Sequence, residues 1–283
     1  MTTNLYLNNR KEVYRIEDIV KSDLDNQFEV QDRVDSGGNA VVHKCADIVT
    51  GDEYAIKFHL ARGNKKLKRF IQEIGLLKQT KHDQLISYVG EGKVNTTVVK
   101  ENRKKRIPFL IMPLAEINLM DFLKVQRKSI SYEEYIAQFK GLASALAALQ
   151  QKAIHRDIKP ENILIKGETW LLSDLGLCKF IDYHQDITYE NEPVGPRYWM
   201  SPEALNRMVG NDDDITKTSD VFQLCSIFWF VFTGRHPSGI LSRKDWNGPD
   251  NIFDAMFQSL SHNPQNRPSD ANQLLKLLNE AIF

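Results

Sequence analysis

His155-Arg156-Asp157-Ile158-Lys159-Pro160-Glu161-Asn162-Ile163-Leu164 packs a carboxylate, an ammonium group and a primary amide into one short stretch. Phosphoryl transfer asks little covalent chemistry of a protein; it needs a positioned nucleophile and neutralisation of charge on the moving phosphate. The stretch has a residue for each task. Asp157 is placed to accept the proton of an attacking hydroxyl, Lys159 to reach the transferred phosphate, and Asn162 to offer an oxygen to Mg²⁺. Asp174, in Ser173-Asp174-Leu175-Gly176, adds a second and stronger metal ligand. A turn with a few solvated charges is the plain alternative. The run through Lys159, Pro160 and Asn162, with Asp174 behind it, speaks against that reading.

The string resembles the catalytic loop of eukaryotic-type protein kinases, with Asp157 and Lys159 as the catalytic residues and Asn162 and Asp174 as the Mg²⁺ ligands. The resemblance runs from about Phe28 to Leu278. It implies an α+β, two-lobed fold: an N-terminal extension over 1–27, a small antiparallel-sheet lobe with one helix and the hinge over 28–115, and a larger, mainly helical lobe over 116–283. ATP is then expected in the cleft between the lobes.

Outward from the loop, Phe28, Val30 and Val34 alternate as a strand entering the turn Asp35-Ser36-Gly37-Gly38-Asn39-Ala40, with Val41-Val42 returning. This is similar to a worn form of the family's glycine-rich loop. Gly37 matches the second glycine, while Asp35 and Ala40 replace the first and third, so Asp35 brings an anion to where phosphates are expected. Ala55-Ile56-Lys57 follows on the next strand. Phe70, Ile74 and Leu77 then mark one face of a helix, with Glu73 beside them as the natural partner of Lys57. Phe109-Leu110-Ile111-Met112 reads as a buried strand leading to a hinge at Pro113-Leu114-Ala115. Met112 is the gatekeeper by resemblance; because Pro113 has no N–H, the donor to adenine is expected from Ala115. The nucleotide contacts implied are Val34, Gly37, Gly38, Val42, Ala55, Lys57, Glu73, Met112, Ala115 and Leu164.

Toward the C-terminus, Ser131-Tyr132-Glu133-Glu134 has the form of a capping box before a helix carrying Tyr135, Phe139, Leu142, Leu146 and Leu149. Asp220 is expected to open an all-apolar, buried helix, Val221 to Phe232, stopped at Gly234. By resemblance Asp220 anchors the catalytic-loop backbone, and Arg267 pairs with Glu203 of Ser201-Pro202-Glu203. Ser269 is expected to cap a last helix ending near Leu278. Two positions depart from the family: Pro196 stands where Ser/Thr kinases usually carry a threonine, and Trp199 replaces a tyrosine. By resemblance, Arg156 and Lys179 are expected to form a two-cation receptor for a phosphate of the activation segment, which offers Thr188 and Tyr189; Glu190 and Glu192 lie near the family's usual phosphosite.

Composition sets the remaining bounds. The chain has 283 residues, 42% of them hydrophobic, with Lys+Arg and Asp+Glu both at 37, so no global field points to nucleic acid or anionic membrane. Lys100-Glu101-Asn102-Arg103-Lys104-Lys105-Arg106 reads as a solvated hairpin tip. Cys45, Cys178 and Cys225 lie too far apart for a metal motif or disulfide framework, which, with no secretory signal and no stretch long enough to span a bilayer, leads to a cytoplasmic protein. Val13 to Val20 fits an amphipathic helix or a strand. The expected function is phosphorylation of protein serine or threonine with ATP and Mg²⁺, with autophosphorylation; the partners are ATP and a protein substrate, not nucleic acid. Lys159 is the main argument for that acceptor. A pseudokinase-like binding module is the alternative, favoured by Asp35 and Ala40 and opposed by Lys57, Glu73, Asp157, Lys159, Asn162 and Asp174. A small-molecule kinase ranks last, and a bacterial, phage or viral origin is compatible with the worn glycine loop.

Overall fold

The structure, a computed structural model, describes residues 1–8, 11–126, 130–181, 196 and 198–282. It divides into two compact units, Met1–Gln79 with Ile86–Ala115, and Thr80–Leu85 with Glu116–Phe283.

The first unit contains β1 (Thr2–Tyr6), β2 (Val13–Glu17), β3 (Ile19–Lys21), β4 (Gln27–Ser36), β5 (Ala40–Asp47), β6 (Glu53–His59), α1 (Asn64–Gln79), β7 (Gly90–Val98) and β8 (Arg103–Pro113). The strands form one antiparallel sheet in the order β1-β2-β7-β8-β6-β5-β4-β3. Only Asp18 separates β2 from β3, yet the two stand near opposite ends of that order. Two Cα–Cα steps span at most about 7 Å, so the sheet must curl until one bent strand joins its edges. Leu5, Tyr14, Ile16, Val20, Phe28, Val30, Val41, Cys45, Ile56, Phe58, Val98, Ile107, Phe109 and Ile111 fill the interior of the curl.

Val13 to Val20 is therefore strand and not helix: Tyr14 and Ile16 point inward while Arg15 and Glu17 stay exposed. The basic run is likewise only partly a hairpin tip. Residues 99–102 make the turn, and Arg103 to Arg106 lie within β8. Lys104 and Arg106 point to one face of this strand, while Arg103 and Lys105 share the face of Ile107, with Lys105 Nζ over the Tyr14 ring.

In the second unit come β9 (Ile117–Asn118), α2 (Leu119–Gln126), α3 (Tyr132–Leu149), β10 (Ala153–Ile154), β11 (Ile163–Lys166), β12 (Thr169–Leu172), β13 (Lys179–Phe180), α4 (Pro202–Met208), α5 (Lys217–Thr233), α6 (Asp250–Ser259) and α7 (Ala271–Ile282). Strands β12, β11 and β9 form one small sheet in that order, and β10 pairs with β13. The core is aromatic between α3 and α5. Phe139 stacks on Phe228 at 4.2 Å, Tyr135 meets Phe232 at 4.6 Å, and the Tyr135 hydroxyl donates to the Phe228 carbonyl at 3.1 Å.

Helix ends follow local chemistry. Ser131 caps α3 by accepting from the Glu134 amide, and Gly234, at φ 76°, closes α5 in the left-handed conformation. Two expected boundaries move. Helix α5 begins at Lys217, with Thr216 and Ser219 forming a reciprocal cap, so Asp220 lies in its first turn and does not open it. Asp270, not Ser269, caps α7 by accepting from the Gln273 amide at 2.9 Å, and the helix runs on to Ile282. An aspartate carboxylate next to the first turn outcompetes a serine one residue earlier because it also meets the positive end of the helix dipole.

Candidate active site

In the first unit, the register of the sheet sets the candidate nucleotide residues on the face opposite the filled interior. Asp35 pairs with Val42, Val42 with Lys57, and Ala55 with Met112. Residues directly opposite in an antiparallel ladder share a face, so Asp35, Val42, Lys57, Ala55 and Met112 look the same way. Helix α1 buries Phe70, Ile74 and Leu77 and, with them, Glu73. Lys57 Nζ reaches both Glu73 carboxylate oxygens, at 2.7 and 3.0 Å. The hairpin between β4 and β5 is closed by the Gly37 amide donating to the Ala40 carbonyl at 3.0 Å. Val34 is exposed on β4, and Ala115 ends the unit.

In the second unit, the loop after β10 is held by its backbone. The amides of His155 and Arg156 donate to the Asp220 carboxylate at 2.9 and 2.8 Å. The Asp157 amide donates to His155 Nδ1 at 3.3 Å and the Ile158 amide to Gln223 Oε1 at 3.0 Å. Four successive N–H groups outside any helix or sheet are thus satisfied, as buried backbone requires. With Nδ1 accepting, His155 Nε2 carries the proton and donates to the Ser173 carbonyl at 3.1 Å. Arg156 and Asp174 adopt left-handed backbone, φ 68° and 58°. Such residues cost about 1–3 kcal/mol each and persist only where their surroundings hold them.

The side chains then converge. Asp157 Oδ2 accepts from Lys159 Nζ at 3.0 Å and from Asn162 Nδ2 at 2.9 Å, while Nδ2 also donates to the Asp157 carbonyl at 2.8 Å. Both amide hydrogens of Asn162 are used on Asp157, which leaves Oδ1 as the amide's acceptor. Burial, followed by the nearby Asp174 charge, raises the Asp157 carboxyl above its ordinary value against the opposing pull of Lys159. Ser173 ties the segment before Asp174 back to the loop, its amide and hydroxyl both donating to the Asn162 carbonyl at 2.9 Å. Leu164 follows on β11, half-buried and paired with Asn118.

Below the loop, Arg267 grips Glu203 with two bonds of 2.8 and 2.9 Å, and Ser219 adds a third at 2.6 Å. Trp199 is buried against Phe230 and His236, with ring centroids at 5.4 and 5.0 Å, and its amide donates to the Pro196 carbonyl at 2.8 Å. Thr188, Tyr189, Glu190, Glu192 and Arg197 lie outside the described residues.

The loop and its anchors match a family description: the protein kinase domain aligns with residues 28–281. The chain belongs to the protein kinase family. Its relatives include the serine/threonine-protein kinase PknL of Mycobacterium bovis, 28% identical over 219 residues, 76% of this chain and 51% of that protein. The serine/threonine-protein kinase PrkC of Bacillus subtilis is 26% identical, covering 76% of this chain and 31% of that protein. The serine/threonine-protein kinase cds1 of Schizosaccharomyces pombe is 30% identical, covering 77% and 47%. The kinase chain thus spans about half the length, or less, of these curated relatives. Kinases of this family use ATP and Mg²⁺. Among the described residues no helix is long and apolar enough to cross a membrane.

Sequence reasoning missed Gln150, Gln223 and Ser173 in this kinase site. Gln150 Nε2 donates to Asp220 at 3.2 Å, Gln223 receives the Ile158 amide, and Ser173 braces Asn162. A signal existed for one of them. Gln223 follows Asp220 by three residues in a helix otherwise apolar around its circumference, so both polar side chains had to face one buried polar target.

Proposed function

We propose that this kinase chain transfers the γ-phosphate of ATP to serine or threonine hydroxyls of protein substrates, including its own. The observation that carries the reading is the Asp157–Lys159–Asn162 cluster: one buried carboxylate bonded to one ammonium and one amide on a loop whose amides from His155 to Ile158 are each tied down. Asp157 accepts the proton of the acceptor hydroxyl. Its raised pKa brings its basicity closer to that of a base working near neutral pH. Lys159 offsets negative charge on the phosphate in flight. Lys57, oriented by Glu73, holds the α- and β-phosphates.

Asn162 and Asp174 would hold Mg²⁺. The fit is chemical: Asn162 directs its amide hydrogens to Asp157 and keeps an oxygen, and Asp174 adds a carboxylate. Two protein oxygens suit Mg²⁺, which takes its other ligands from phosphates and water, and when bound it would neutralise charge between the β- and γ-phosphates.

Gly37 and Gly38 support a nucleotide roof. Neither has positive φ, and a Cβ built on either would meet nothing within 4 Å. Glycine there leaves the space beside the turn free of side chains, which is what close approach of a phosphate to its backbone requires. Val34, Val42, Ala55, Met112 and Ala115 of the first unit are the proposed adenine contacts, with Met112 as gatekeeper and Ala115 as donor, and Leu164 is the contact proposed from the second unit. Residues 28–115 and 116–283 serve as the two lobes, with 1–27 as an extension. Three free, buried cysteines fit a reducing, cytoplasmic setting. The names of the relatives, serine/threonine kinases, support the acceptor.

The test is mass spectrometry of the purified chain with Mg²⁺-ATP and a generic protein substrate, beside Asp157→Ala. Phosphoserine and phosphothreonine are expected, with turnover at least about 10²-fold lower in the variant and ATP binding retained. Equal turnover in the variant would overturn the assignment.

A further inference from the structure

The segment that precedes the family match does more than close the sheet. Helix α1, which presents Glu73 to Lys57, is gripped at both ends by residues from this segment. Glu12 forms an ion pair with Arg62, two residues before the helix starts, and is itself fixed by the Tyr14 hydroxyl at 2.8 Å. At the other end Lys78, in the last turn, pairs with Asp23 at 3.5 Å and Glu91 at 2.8 Å. Asp23 is held in turn by the Tyr88 hydroxyl at 2.7 Å and the Glu91 amide at 3.0 Å.

The helix needs such support. Its first turn has no acidic residue, and Lys65, Lys66, Lys68 and Arg69 crowd the end where the helix dipole is already positive. The seat for the segment is cut into the sheet as well. The Asp23 amide donates to the Glu91 carbonyl at 2.7 Å, a Cβ on Gly90 would approach Ser22 Cβ to 3.2 Å, and one on Gly92 would approach the Lys21 carbonyl to 2.9 Å. Gly90 lets the chain pass this close over β7, and Gly92 does so while also making room for the Phe109 ring, which a Cβ there would meet first.

We propose that residues Glu12 to Asp23 are a positioning strap for α1, holding it where Glu73 pairs with Lys57, so that the phosphate-binding lysine is oriented by the chain itself and without a partner protein. The inference rests on the reading of Lys57 as a nucleotide ligand. Glu12 and Asp23 are positioning residues and touch no substrate. Exposed ion pairs of this kind each bias an equilibrium about 1.5- to 5-fold, so losing both is expected to shift α1 toward a loosened position about 2- to 25-fold together and to weaken nucleotide binding by up to that factor.

The experiment compares the full chain with Glu12→Gln/Asp23→Asn, near-isosteric changes that remove each charge and leave one acceptor oxygen in place of two. Deuterium uptake is followed over residues 64–79, and the Kd of Mg²⁺-ATP is measured by calorimetry. Faster uptake confined to α1, with a Kd raised about twofold or more, is expected. The charge-exchanged pair Glu12→Arg/Arg62→Glu is expected to restore protection at the start of the helix relative to Glu12→Arg alone. Unchanged uptake in α1, faster uptake with an unchanged Kd, or a uniform rise across the first unit would each overturn the proposal. Neither readout requires phosphotransfer, so an inactive wild-type chain would refute the catalytic reading alone.

Discussion

Replacing Asp220 by asparagine removes one carboxylate oxygen from a site with no access to water. In the native chain one oxygen takes the His155 amide and Gln150 Nε2 and the other takes the Arg156 amide. The asparagine amide settles with its oxygen on the pair of donors and its NH₂ against the Arg156 amide, because the reverse loses two bonds. The loss is one charge-assisted hydrogen bond, about 1.5–3 kcal/mol, plus a buried amide left unsatisfied, about 1–3 kcal/mol. Against this, burial raises the Asp220 pKa, so the native carboxylate already carries a desolvation cost that asparagine escapes. A net loss of about 2–4 kcal/mol is expected. It falls on Arg156, whose φ of 68° costs about 1–3 kcal/mol to maintain. Released, Arg156 relaxes and carries Asp157 with it; a displacement of about 1 Å is worth about 10²-fold in rate. Urea unfolding, phosphotransfer rate and amide exchange at His155 and Arg156 measure the three steps separately. A rate within threefold of wild type, with both amides as protected as before, would refute the anchoring argument.

Arg267→Met is expected to cost about 3–5 kcal/mol at pH 7.5, because it strands the buried Glu203 carboxylate. In the native chain burial pushes the Glu203 pKa up, but Arg267 and Ser219 more than offset it, so the net shift is downward. Its stabilisation is therefore present above the unfolded pKa and lost as pH falls through the lowered folded value. In the variant the shift reverses, and the deficit, read from urea midpoints, is expected to shrink between pH 7.5 and pH 5. Leu5→Ala, in the segment before the family match, is expected to cost about 2–5 kcal/mol as a cavity in a filled interior; a midpoint unchanged in urea would show the segment to be dispensable. Asp35→Asn is expected to tighten Mg²⁺-ATP binding about two- to fourfold at low salt, since two strand spacings put Asp35 about 10 Å from Lys57. Calorimetry in about 0.5 M salt is expected to erase most of that gain, and an equal gain at both salts would point away from charge.

What was readable in the sequence was short-range or doubly marked. Glu73 declared itself by sitting beside Phe70, Ile74 and Leu77 on one helical face, and Gly234 declared the end of α5 by its backbone freedom. The first 27 residues were opaque for a physical reason. Tyr14 pairs with Leu5 and with Val98, and Val20 with Phe28, so the strand identity of one short stretch is decided by three partners, one of them more than eighty residues away. Strand length alone, three to five residues, does not separate a strand from one turn of helix. The anchors of the loop were half readable. Asp220 stood out as a charge in an apolar helix, whereas Gln150 and Ser173 look like ordinary surface polar residues until the fold buries them.

The bent strand of β2 and β3 also bears on how the chain keeps from binding copies of itself. Residues 28–281 alone would leave β4 and β7 as the bare margins of the sheet. β7 runs nine residues, with a row of N–H and C=O groups ready to template a neighbour. With the first segment in place, β2 pairs with Thr97 and Val98 at the end of β7, Asp23 bonds the backbone of Glu91 near its start, and β3 pairs with β4, so less of both margins is left bare. A chain trimmed to the family boundary is therefore expected to fail first by edge-to-edge aggregation, at concentrations where the whole chain stays monodisperse.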